Sequence, residues 1–434
     1  MRVAITTLGC KVNQYDSAAL ETRLRDRGCT VVPFAPGADV YVVNSCSVTD
    51  RADAESRQLA RRAKRLNPAG RVVVTGCFAQ TNPQGAALRD VDHVVGLNRL
   101  DDLVRAVGGR VDAEEKILVD DLRRARNVAT TGAEVFTGQT RAFLKVQEGC
   151  DLFCSFCIVP FARGRSRSVA PRTVLDQIDI LAARGFREVV LTGVHLGGYG
   201  EDLQPRRDLA DLLEMILEHS PIGRIRLSSI DPPEVTAKLL GLMEHAGALC
   251  PHLHIPVQAC DDAVLRRMRR QYDSAFLRDL VAEIRRRLPD AALGTDVIAG
   301  FPGETEEQFA TTVRALEELP FTYLHVFPYS RRSRTTAAKL AGHLPATEVK
   351  ARADTLRDLG EWKRRDFAQR FVGQRLQVLV ENPAEADAAL QSGYSRNYQR
   401  VEFAGPRELR NQEVSVDVTS CDGSRLSGRP VVFG

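Results

Sequence analysis

Residues 148–157 read Glu-Gly-Cys-Asp-Leu-Phe-Cys-Ser-Phe-Cys and place three cysteines, Cys150, Cys154 and Cys157, in the spacing C-x3-C-x2-C. Thiolates this close can hold one face of an iron-sulfur cluster, and a closed cluster takes four cysteine ligands. An incomplete set leaves one metal position open, which is where a metal site carries out chemistry. The alternative is a zinc knuckle or buried thiols, although zinc favours paired C-x2-4-C hooks with a fourth ligand nearby. The loop therefore predicts a three-thiolate metal site.

The bulk composition is that of a globular protein. Of its 434 residues, 44% are hydrophobic and 27% are charged, and this length accommodates roughly two to four domains. No apolar run reaches the roughly 18 residues of a membrane span, so we expect none. Ten cysteines without the apolar core of a signal peptide indicate ligands or reduced thiols, and hence a cytoplasmic protein. The net charge of +4 does not by itself indicate a nucleic-acid partner, and the short arginine runs are ordinarily solvated helix faces.

The first 110 residues alternate strand-like and helical segments, which predicts a doubly wound parallel α/β domain. Helices are predicted at 17–27 and 52–66. Three predicted strands each end near a cysteine: Val3–Leu8 before Cys10, Val40–Val43 before Cys46, and Val72–Thr75 before Cys77. Ligands bind at the carboxyl edge of such a sheet, so these thiolates are predicted to meet in one crevice. Chance is the alternative, because cysteine is often buried as a small hydrophobe; Cys29, which precedes a strand, fits that interpretation.

Residues 108–140 are polar and irregular and predict a linker with an edge strand at Lys116–Val119. Between 136 and 368 strands and helices alternate again, which predicts a parallel β/α barrel, complete or partial. The predicted strands are Ala142–Val146, Glu188–Leu191, Arg224–Leu227, His252–Ile255, Leu293–Ile298 and Thr322–Val326. The predicted helices are Pro171–Arg184, Leu209–Glu218, Ala263–Arg269, Ser274–Arg287 and Glu304–Glu318. Polar residues just past the strands mark the functional rim of such a barrel.

The last segment, 371–434, predicts a small all-β barrel. Strand-like alternation is found in Arg375–Val380, Arg400–Phe403, Val414–Val418 and Pro430–Phe433. The charge of this segment is near balance, which does not favour an autonomous RNA-binding domain. Its exception is the stretch 393–400, Gly-Tyr-Ser-Arg-Asn-Tyr-Gln-Arg, whose aromatic and arginine side chains could stack on bases and contact phosphates. The alternative is an ordinary barrel strand.

Sequence motifs extend from residue 6 to about residue 400. The motifs include an aromatic residue, Phe156, before the last cysteine of the loop. The others include Thr7-Leu-Gly-Cys10-Lys-Val-Asn13, Val43-Asn-Ser-Cys46-Ser-Val-Thr49, Val74-Thr-Gly-Cys77-Phe-Ala-Gln80, Ile158-Val-Pro-Phe-Ala-Arg163-Gly-Arg-Ser-Arg167-Ser168, Leu191-Thr-Gly-Val-His195-Leu-Gly197 and Thr295-Asp296-Val-Ile-Ala-Gly300-Phe-Pro-Gly303-Glu304-Thr305. Together they resemble the motifs of the radical S-adenosylmethionine (SAM) methylthiotransferases, a family that combines a three-cysteine N-terminal domain, a radical SAM barrel and a C-terminal TRAM β-barrel. The resemblance implies domains at 1–110, 136–368 and 371–434.

The resemblance also implies the cofactors, which are SAM and two 4Fe-4S clusters. One cluster would be held by Cys10, Cys46 and Cys77, and the other, the catalytic one, by Cys150, Cys154 and Cys157. In that family the second cluster cleaves SAM to a 5′-deoxyadenosyl radical, and the first carries or donates sulfur. An electron donor such as flavodoxin or ferredoxin is implied as reductant. The residues expected to contact SAM are Phe156, Thr192, Gly193, Ser229, Gln258 and Asp296.

Four arginines are candidates for contacting the substrate: Arg163, Arg165, Arg167 and Arg331. The family branch that methylthiolates threonylcarbamoyladenosine in tRNA is the most similar, since the chain has Lys11-Val12 and Val194-His195 in two motifs where the isopentenyladenosine branch differs. Guanidinium groups bind phosphates and carboxylates, and threonylcarbamoyladenosine carries a carboxylate. Two alternatives stay open: the arginines pair with carboxylates inside the barrel, or the substrate is isopentenyladenosine in tRNA or a ribosomal protein.

Two stretches depart from the family pattern. The chain reads Gln258-Ala259-Cys260 where the family usually has Gln-Ser-Gly, and Ser330-Arg331-Arg-Ser-Arg334-Thr where it often has Ser-Pro-Arg-Pro-Gly-Thr. Both stretches lie near the expected rim for SAM and substrate. The departures affect the expected contacts with SAM and substrate, and they do not affect the predicted cluster ligands.

Overall fold

A computed structural model describes residues 1–112, 114–125, 128, 132–383 and 390–431. Its first part is a six-stranded parallel sheet in the order β2-β1-β3-β4-β5-β6, flanked by helices. The strands are β1 Arg2–Thr7, β2 Thr30–Val32, β3 Val40–Ser45, β4 Arg71–Gly76, β5 His93–Val95 and β6 Ile117–Leu118. The helices are α1 Lys11–Arg25, α2 Asp50–Leu66, α3 Cys77–Thr81, α4 Pro83–Ala86 and α5 Leu100–Val107. The predicted doubly wound domain is confirmed, and the predicted edge strand belongs to its sheet.

The second part is a partial β/α barrel. Strands β10-β9-β7-β8 form one sheet and β11-β12-β13 another, and the parallel bridges Ile225↔Leu249 and Ser229↔His254 connect β10 to the segment of β11. The strands are β7 Arg141–Glu148, β8 Arg167–Ser168, β9 Glu188–Gly193, β10 Arg224–Leu227, β11 His252–His254, β12 Ala292–Ala299 and β13 Tyr323–Pro328. The helices are α6 Val159–Arg163, α7 Pro171–Ala183, α8 Leu209–His219, α9 Ala237–His245, α10 Asp262–Met268, α11 Ser274–Arg287, α12 Glu306–Glu318 and α13 Ala346–Gln369.

The third part is a closed five-stranded barrel in the order β14-β15-β16-β18-β17. Its strands are β14 Arg375–Pro383, β15 Leu390–Ser395, β16 Arg400–Ala404, β17 Glu413–Asp422 and β18 Arg425–Pro430. The predicted strand Pro430–Phe433 is wrong at its start, because β18 ends at Pro430; residues 432 and 433 lie outside the described part. The true strand, Arg-Leu-Ser-Gly-Arg-Pro, has one large apolar residue, Leu426, and therefore no readable alternation.

The stretch 393–400 of the small barrel packs against the amino-terminal end of the β/α barrel. Arg226 Nη1 donates to the Arg396 carbonyl at 2.9 Å, and Arg224 Nη2 donates to the Tyr394 carbonyl at 3.1 Å. The Tyr398 ring lies 4.5 Å from the ring of His252, the first residue of β11. The stretch 393–400, here called the barrel plug, corrects the prediction of an RNA-stacking surface, because Tyr394, Arg396 and Tyr398 contact the β/α barrel. Arg400 instead hydrogen-bonds to Ser392 within the small barrel.

No helix among the described residues is long and apolar enough to cross a bilayer.

Candidate active site between two cysteine triads

The first cysteine triad lies at the carboxyl ends of three neighbouring strands. Cys10, Cys46 and Cys77 follow β1, β3 and β4, which are adjacent in the sheet. Two glycines allow the segments that carry these cysteines to approach one another closely. Gly9 has a φ of +98°, and a Cβ there would lie 3.0 Å from Cys46 Sγ; Gly76 has a φ of +93°, and a Cβ there would lie 2.3 Å from a backbone oxygen. These are backbone conformations that glycine adopts without steric cost.

The thiols of this triad influence one another electrostatically. Burial raises the pKa of Cys77 to about 12, the nearby Arg163 guanidinium opposes that rise, and the charges of Cys46 and Cys10 add to it. Burial also raises the pKa of Cys46. Metal binding requires the thiolate, so loading this site releases protons. Three sulfur donors with a nearby cation are a donor set that suits an iron-sulfur cluster.

The second triad occupies the loop between β7 and α6. Cys157 N donates to the Cys154 carbonyl at 3.0 Å, and Cys150 N donates to the Gly164 carbonyl at 3.1 Å, so the loop is closed by backbone hydrogen bonds. Burial raises the pKa values of Cys150 and Cys157 to about 12, and the neighbouring cysteine charges add to the rise. The donor set is again three sulfurs.

Arg163, the last residue of α6, connects the two triads. Its side chain is 2% exposed and donates to Glu148 Oε1 at 2.7 Å, Asp16 Oδ2 at 2.9 Å and Asn13 Oδ1 at 2.5 Å. Lys145 Nζ completes the network with Asp16 at 2.7 Å and Glu148 at 2.6 Å. Although burial favours the protonated carboxyl, Arg163 and Lys145 lower the pKa of Glu148 to about 2.

A pocket of about 160 Å³ opens between the segment that follows Cys46 and the second cysteine loop. Val48 and Thr49, which follow Cys46, form one side, and Phe156 and Cys157 from the second loop form another. Of the residues expected to contact SAM, Phe156, Gln258 and Asp296 line this pocket. The other three, Thr192, Gly193 and Ser229, lie at or just past the carboxyl ends of β9 and β10, outside its lining.

Comparison with known proteins gives two family models. The model described as "Uncharacterized protein family UPF0004" matches residues 2–96, and the Radical SAM superfamily model matches residues 144–316. The threonylcarbamoyladenosine tRNA methylthiotransferase MtaB of Bacillus subtilis is 38% identical, covering 96% of this chain and 93% of the relative. MtaB of Aquifex aeolicus is 40% identical, covering 88% and 93%. The chain belongs to the methylthiotransferase family.

A second branch of methylthiotransferases is less similar. The tRNA-2-methylthio-N(6)-dimethylallyladenosine synthase of Staphylococcus haemolyticus is 31% identical, covering 98% of this chain and 84% of the relative. The order of similarity confirms the branch predicted from the sequence. The structure of the radical SAM methyltransferase TsrM from Kitasatospora setae has a TM-score of 0.56 at 18% identity, with 78% of this chain and 77% of TsrM covered; it shows a shared fold alone.

The predicted substrate arginines of this methylthiotransferase have unlike environments. Arg163 is the buried centre of an ion-pair network, so its predicted contact with tRNA is corrected in favour of the alternative, pairing with internal carboxylates. Arg167 is 4% exposed and donates to the Arg163 carbonyl at 3.1 Å, and its substrate contact stays a prediction. Arg165 is exposed. Arg331 is exposed, and its Nε donates to the Ala338 carbonyl at 3.0 Å.

The sequence analysis missed a cation beside the second triad. Arg270 Nη1 lies 3.2 Å from Cys154 Sγ, and the side chain is 4% exposed. Asp231, the Tyr272 hydroxyl and the Pro256 carbonyl hold the guanidinium in place. Arg270 ends an arginine-rich run that reads as a solvated helix face, and periodicity gives no signal that its last member points inward.

The sequence analysis predicted Asp296 but missed the cluster of polar side chains around it on the inner face of the barrel. Asp296 Oδ1 lies 2.8 Å from His254 Nε2 and 3.3 Å from His325 Nδ1. Tyr323 Oη lies 3.1 Å from His254 Nδ1 and 2.8 Å from His252 Nε2. Burial alone raises the pKa of Asp296, but the two histidines outweigh it and hold the pKa below its usual range. Alternating His-Leu-His in a short strand could have indicated this inward face.

The two departures from the family pattern have structural explanations. Cys260 is 2% exposed, and its backbone N–H donates to Thr312 Oγ1 at 3.2 Å, so this position belongs to the core. In the second stretch, the departing residues Arg331 and Arg334 contact the Ala338 carbonyl and the Phe161 ring, respectively. Arg332, where the family pattern also has arginine, donates to Asp50 at 2.5 Å and to Asp53 at 2.6 Å on α2. The late barrel loop is therefore fastened to the N-terminal domain beside Cys46.

Proposed function

We propose that this protein methylthiolates carbon 2 of N6-threonylcarbamoyladenosine next to the anticodon of tRNA, with SAM as the source of both radical and methyl group. The observation that carries the proposal is the presence of two three-cysteine sets joined through Arg163, in a chain 38% and 40% identical to two threonylcarbamoyladenosine tRNA methylthiotransferases. An aromatic C–H bond is too weakly acidic for an ordinary side-chain base, so its substitution requires radical chemistry. Protein groups contribute by holding the reactants together.

Each triad is assigned to one cluster. Cys150, Cys154 and Cys157 hold the catalytic 4Fe-4S cluster, and the N-terminal triad Cys10, Cys46 and Cys77 holds the second. When bound, the clusters supply reductive SAM cleavage and the sulfur atom that is transferred. The protein joins the two sites through Arg163, whose helix follows the second triad and whose partners Asp16 and Asn13 lie on α1, which follows Cys10.

The residues that contact SAM and tRNA are part of the same proposal. Phe156, Gln258 and Asp296 line the pocket beside Cys157 and are assigned to SAM, and Thr192, Gly193 and Ser229 stay predictions. Arg165 and Arg331, the two exposed candidates, are assigned to the tRNA. The same proposal includes an electron donor such as flavodoxin or ferredoxin, a cytoplasmic location, and domains at 1–110, 136–368 and 371–434.

The decisive experiment uses the anaerobically reconstituted protein with two tRNA substrates, one carrying threonylcarbamoyladenosine and one carrying isopentenyladenosine. Nucleoside mass spectrometry should find the methylthio product with the first tRNA. Conversion of only the isopentenyl tRNA would move the enzyme to the other branch. Modification of a ribosomal protein, with neither tRNA converted, would overturn the RNA substrate.

A further inference from the structure

The outer side of the second cysteine loop carries an exposed aromatic residue. Phe153, which directly precedes Cys154, is 43% exposed and has a φ of +48°. A positive φ is uncommon for a bulky residue and costs free energy, and such strain concentrates at functional positions. Because 43% of the residue is exposed, its burial is incomplete and offsets only part of this strain. Phe161 contacts it edge-on at 6.2 Å between ring centroids.

Arginines surround this aromatic pair. Phe153 and Phe161 line a groove of about 350 Å³ together with Arg123, Arg124 and Arg165. The three arginines are exposed. A fourth one, Arg334, is also exposed, and its guanidinium lies 5.0 Å from the centre of the Phe161 ring. Positive charge therefore rings an apolar centre, which is the composition found at protein interfaces.

Acidic residues offset part of this charge. Asp121 lines the groove and pairs with Arg123 at 2.6 Å, and Asp151, in the cysteine loop, accepts a hydrogen bond from Ser166 N at 3.3 Å. Four arginines against two carboxylates leave a positive surface on the loop that binds the catalytic cluster.

The groove and the pocket beside Cys157 share no lining residue. The pocket meets the loop at Phe156 and Cys157, whereas the groove meets it at Phe153. A molecule in the groove therefore approaches the loop from outside while SAM and substrate occupy the pocket. An electron carrier needs this arrangement, because electron transfer falls steeply with distance and its partner has to reach the cluster without displacing substrate.

We propose that this groove, centred on Phe153 and ringed by Arg123, Arg124, Arg165 and Arg334, is the docking surface for a small acidic electron-carrier protein of the flavodoxin type. This inference rests on the proposed function, since it requires a redox cluster in the Cys150 triad. The reduced carrier passes one electron to that cluster and is itself oxidised by one electron, with no transfer of atoms. Such encounters use small interfaces and depend on complementary charge for their rate.

The test reverses charge at Arg124 and Arg334, leaving intact Arg165, the proposed tRNA contact. The reconstituted Arg124→Glu/Arg334→Glu enzyme is compared with wild type in the formation of 5′-deoxyadenosine from SAM, without tRNA. One arm uses limiting bacterial flavodoxin kept reduced by its reductase, and the other uses dithionite. With flavodoxin at low salt the rate should fall about tenfold or more, and added salt should narrow the difference. With dithionite the rate should equal that of wild type.

A matched control carries the same charge change at two exposed arginines outside the groove, Arg286→Glu/Arg314→Glu on α11 and α12. It should retain the wild-type rate with both reductants. A second test variant, Phe153→Asn, removes the aromatic ring but keeps a residue that tolerates positive φ. This variant should also form 5′-deoxyadenosine more slowly than wild type with flavodoxin, and at the wild-type rate with dithionite.

Three results would overturn the inference. Equal flavodoxin rates for wild type and the Arg124→Glu/Arg334→Glu variant would exclude docking here, and an equal loss with dithionite would place the defect in the cluster or SAM site. Weaker tRNA binding with unchanged flavodoxin rates would assign the groove to tRNA. SAM cleavage without tRNA does not depend on methylthiolation, so failure to form product would count against the proposed function while leaving the docking result standing.

Discussion

At the residue scale, the two triads have separate ligand sets on separate domains, and single substitutions should separate their roles. Cys10, Cys46 and Cys77 belong to the α/β sheet, whereas Cys154 lies in the loop after β7. Arg163 and Arg270 add one buried cation beside each set. Such cations favour the thiolate form and stabilise negative charge on a bound cluster.

We expect Cys154→Ala to abolish SAM cleavage and Cys46→Ala to retain it while stopping methylthiolation. Each variant should lose about half of the iron and sulfide of the wild-type holoprotein, because one of two clusters goes. Iron analysis, 5′-deoxyadenosine and product nucleoside measure these outcomes. SAM cleavage by Cys154→Ala, or wild-type product yield from Cys46→Ala, would contradict the assignment.

We expect Arg270→Gln to make the reduction potential of the catalytic cluster more negative, by roughly tens of millivolts, because a charged donor to Cys154 Sγ is lost. Arg270→Lys, which keeps the charge but not the forked geometry, should shift it less. Redox titration followed by electron paramagnetic resonance measures both, and the N-terminal cluster is the internal control. An unchanged potential in Arg270→Gln would show that the hydrogen bond has no electronic effect.

At the element scale, the five-residue helix α6 links the second cysteine loop to the N-terminal domain. It begins two residues after Cys157 and ends at Arg163, whose side chain reaches carboxylates on β7 and α1. The strand ends and their cysteines could be predicted from the sequence, because apolar runs and chain breaks are local signals. The partners of Arg163, Arg167 and Arg270 could not, because arginine runs look alike whether the side chains are buried or solvated. The tertiary fold decides between the two.

We expect Arg163→Met to destabilise the contact between the first two domains by about 3–5 kcal/mol, since it leaves Glu148 and Asp16 with Lys145 as their remaining cation. The exposed neighbour Arg165 gives the control, and Arg165→Met should cost under about 0.5 kcal/mol. Urea unfolding midpoints, compared at constant cluster content, measure the difference. Equal midpoints for the two variants would show that the network contributes no net stability.

At the scale of the whole molecule, a buried carboxylate fastens the small barrel to the β/α barrel. Glu188 is fully buried and accepts from Arg226 Nε at 2.7 Å and from Arg224 Nε at 2.8 Å, and these arginines hold the carbonyls of the barrel plug. Burial raises the pKa of Glu188, but the arginines outweigh it and lower the pKa from 4.5 to about 2.

The stabilisation by ionised Glu188 is complete above the unfolded pKa and is lost as the pH falls from about 4.5 towards 2. Its size is about 3 kcal/mol, from the pKa difference. We expect Glu188→Gln to reproduce this loss at pH 7 and to flatten the acid limb of the stability curve. Hydrogen exchange at 393–400, measured at pH 7 for both proteins, checks the first outcome. Urea unfolding of both proteins between pH 7 and pH 2 checks the second, because the stabilisation is lost below about pH 4.5. Equal protection of residues 393–400 from hydrogen exchange in both proteins would show that Glu188 does not attach the small barrel to the β/α barrel.

The barrel plug has a practical consequence for dividing the chain into pieces. A truncation before β14 would uncover Arg224, Arg226 and His252 at the amino-terminal end of the catalytic domain, each of which now contacts the stretch 393–400. It would also remove the cover over the ion pairs that these two arginines form with Glu188. We expect such a fragment to precipitate or to lose its cluster, even though the cysteines lie at the opposite end of the strands. A loss of activity after removal of the small barrel would therefore be no measure of RNA binding by that barrel. RNA binding by the small barrel should instead be mapped with point substitutions of its exposed residues.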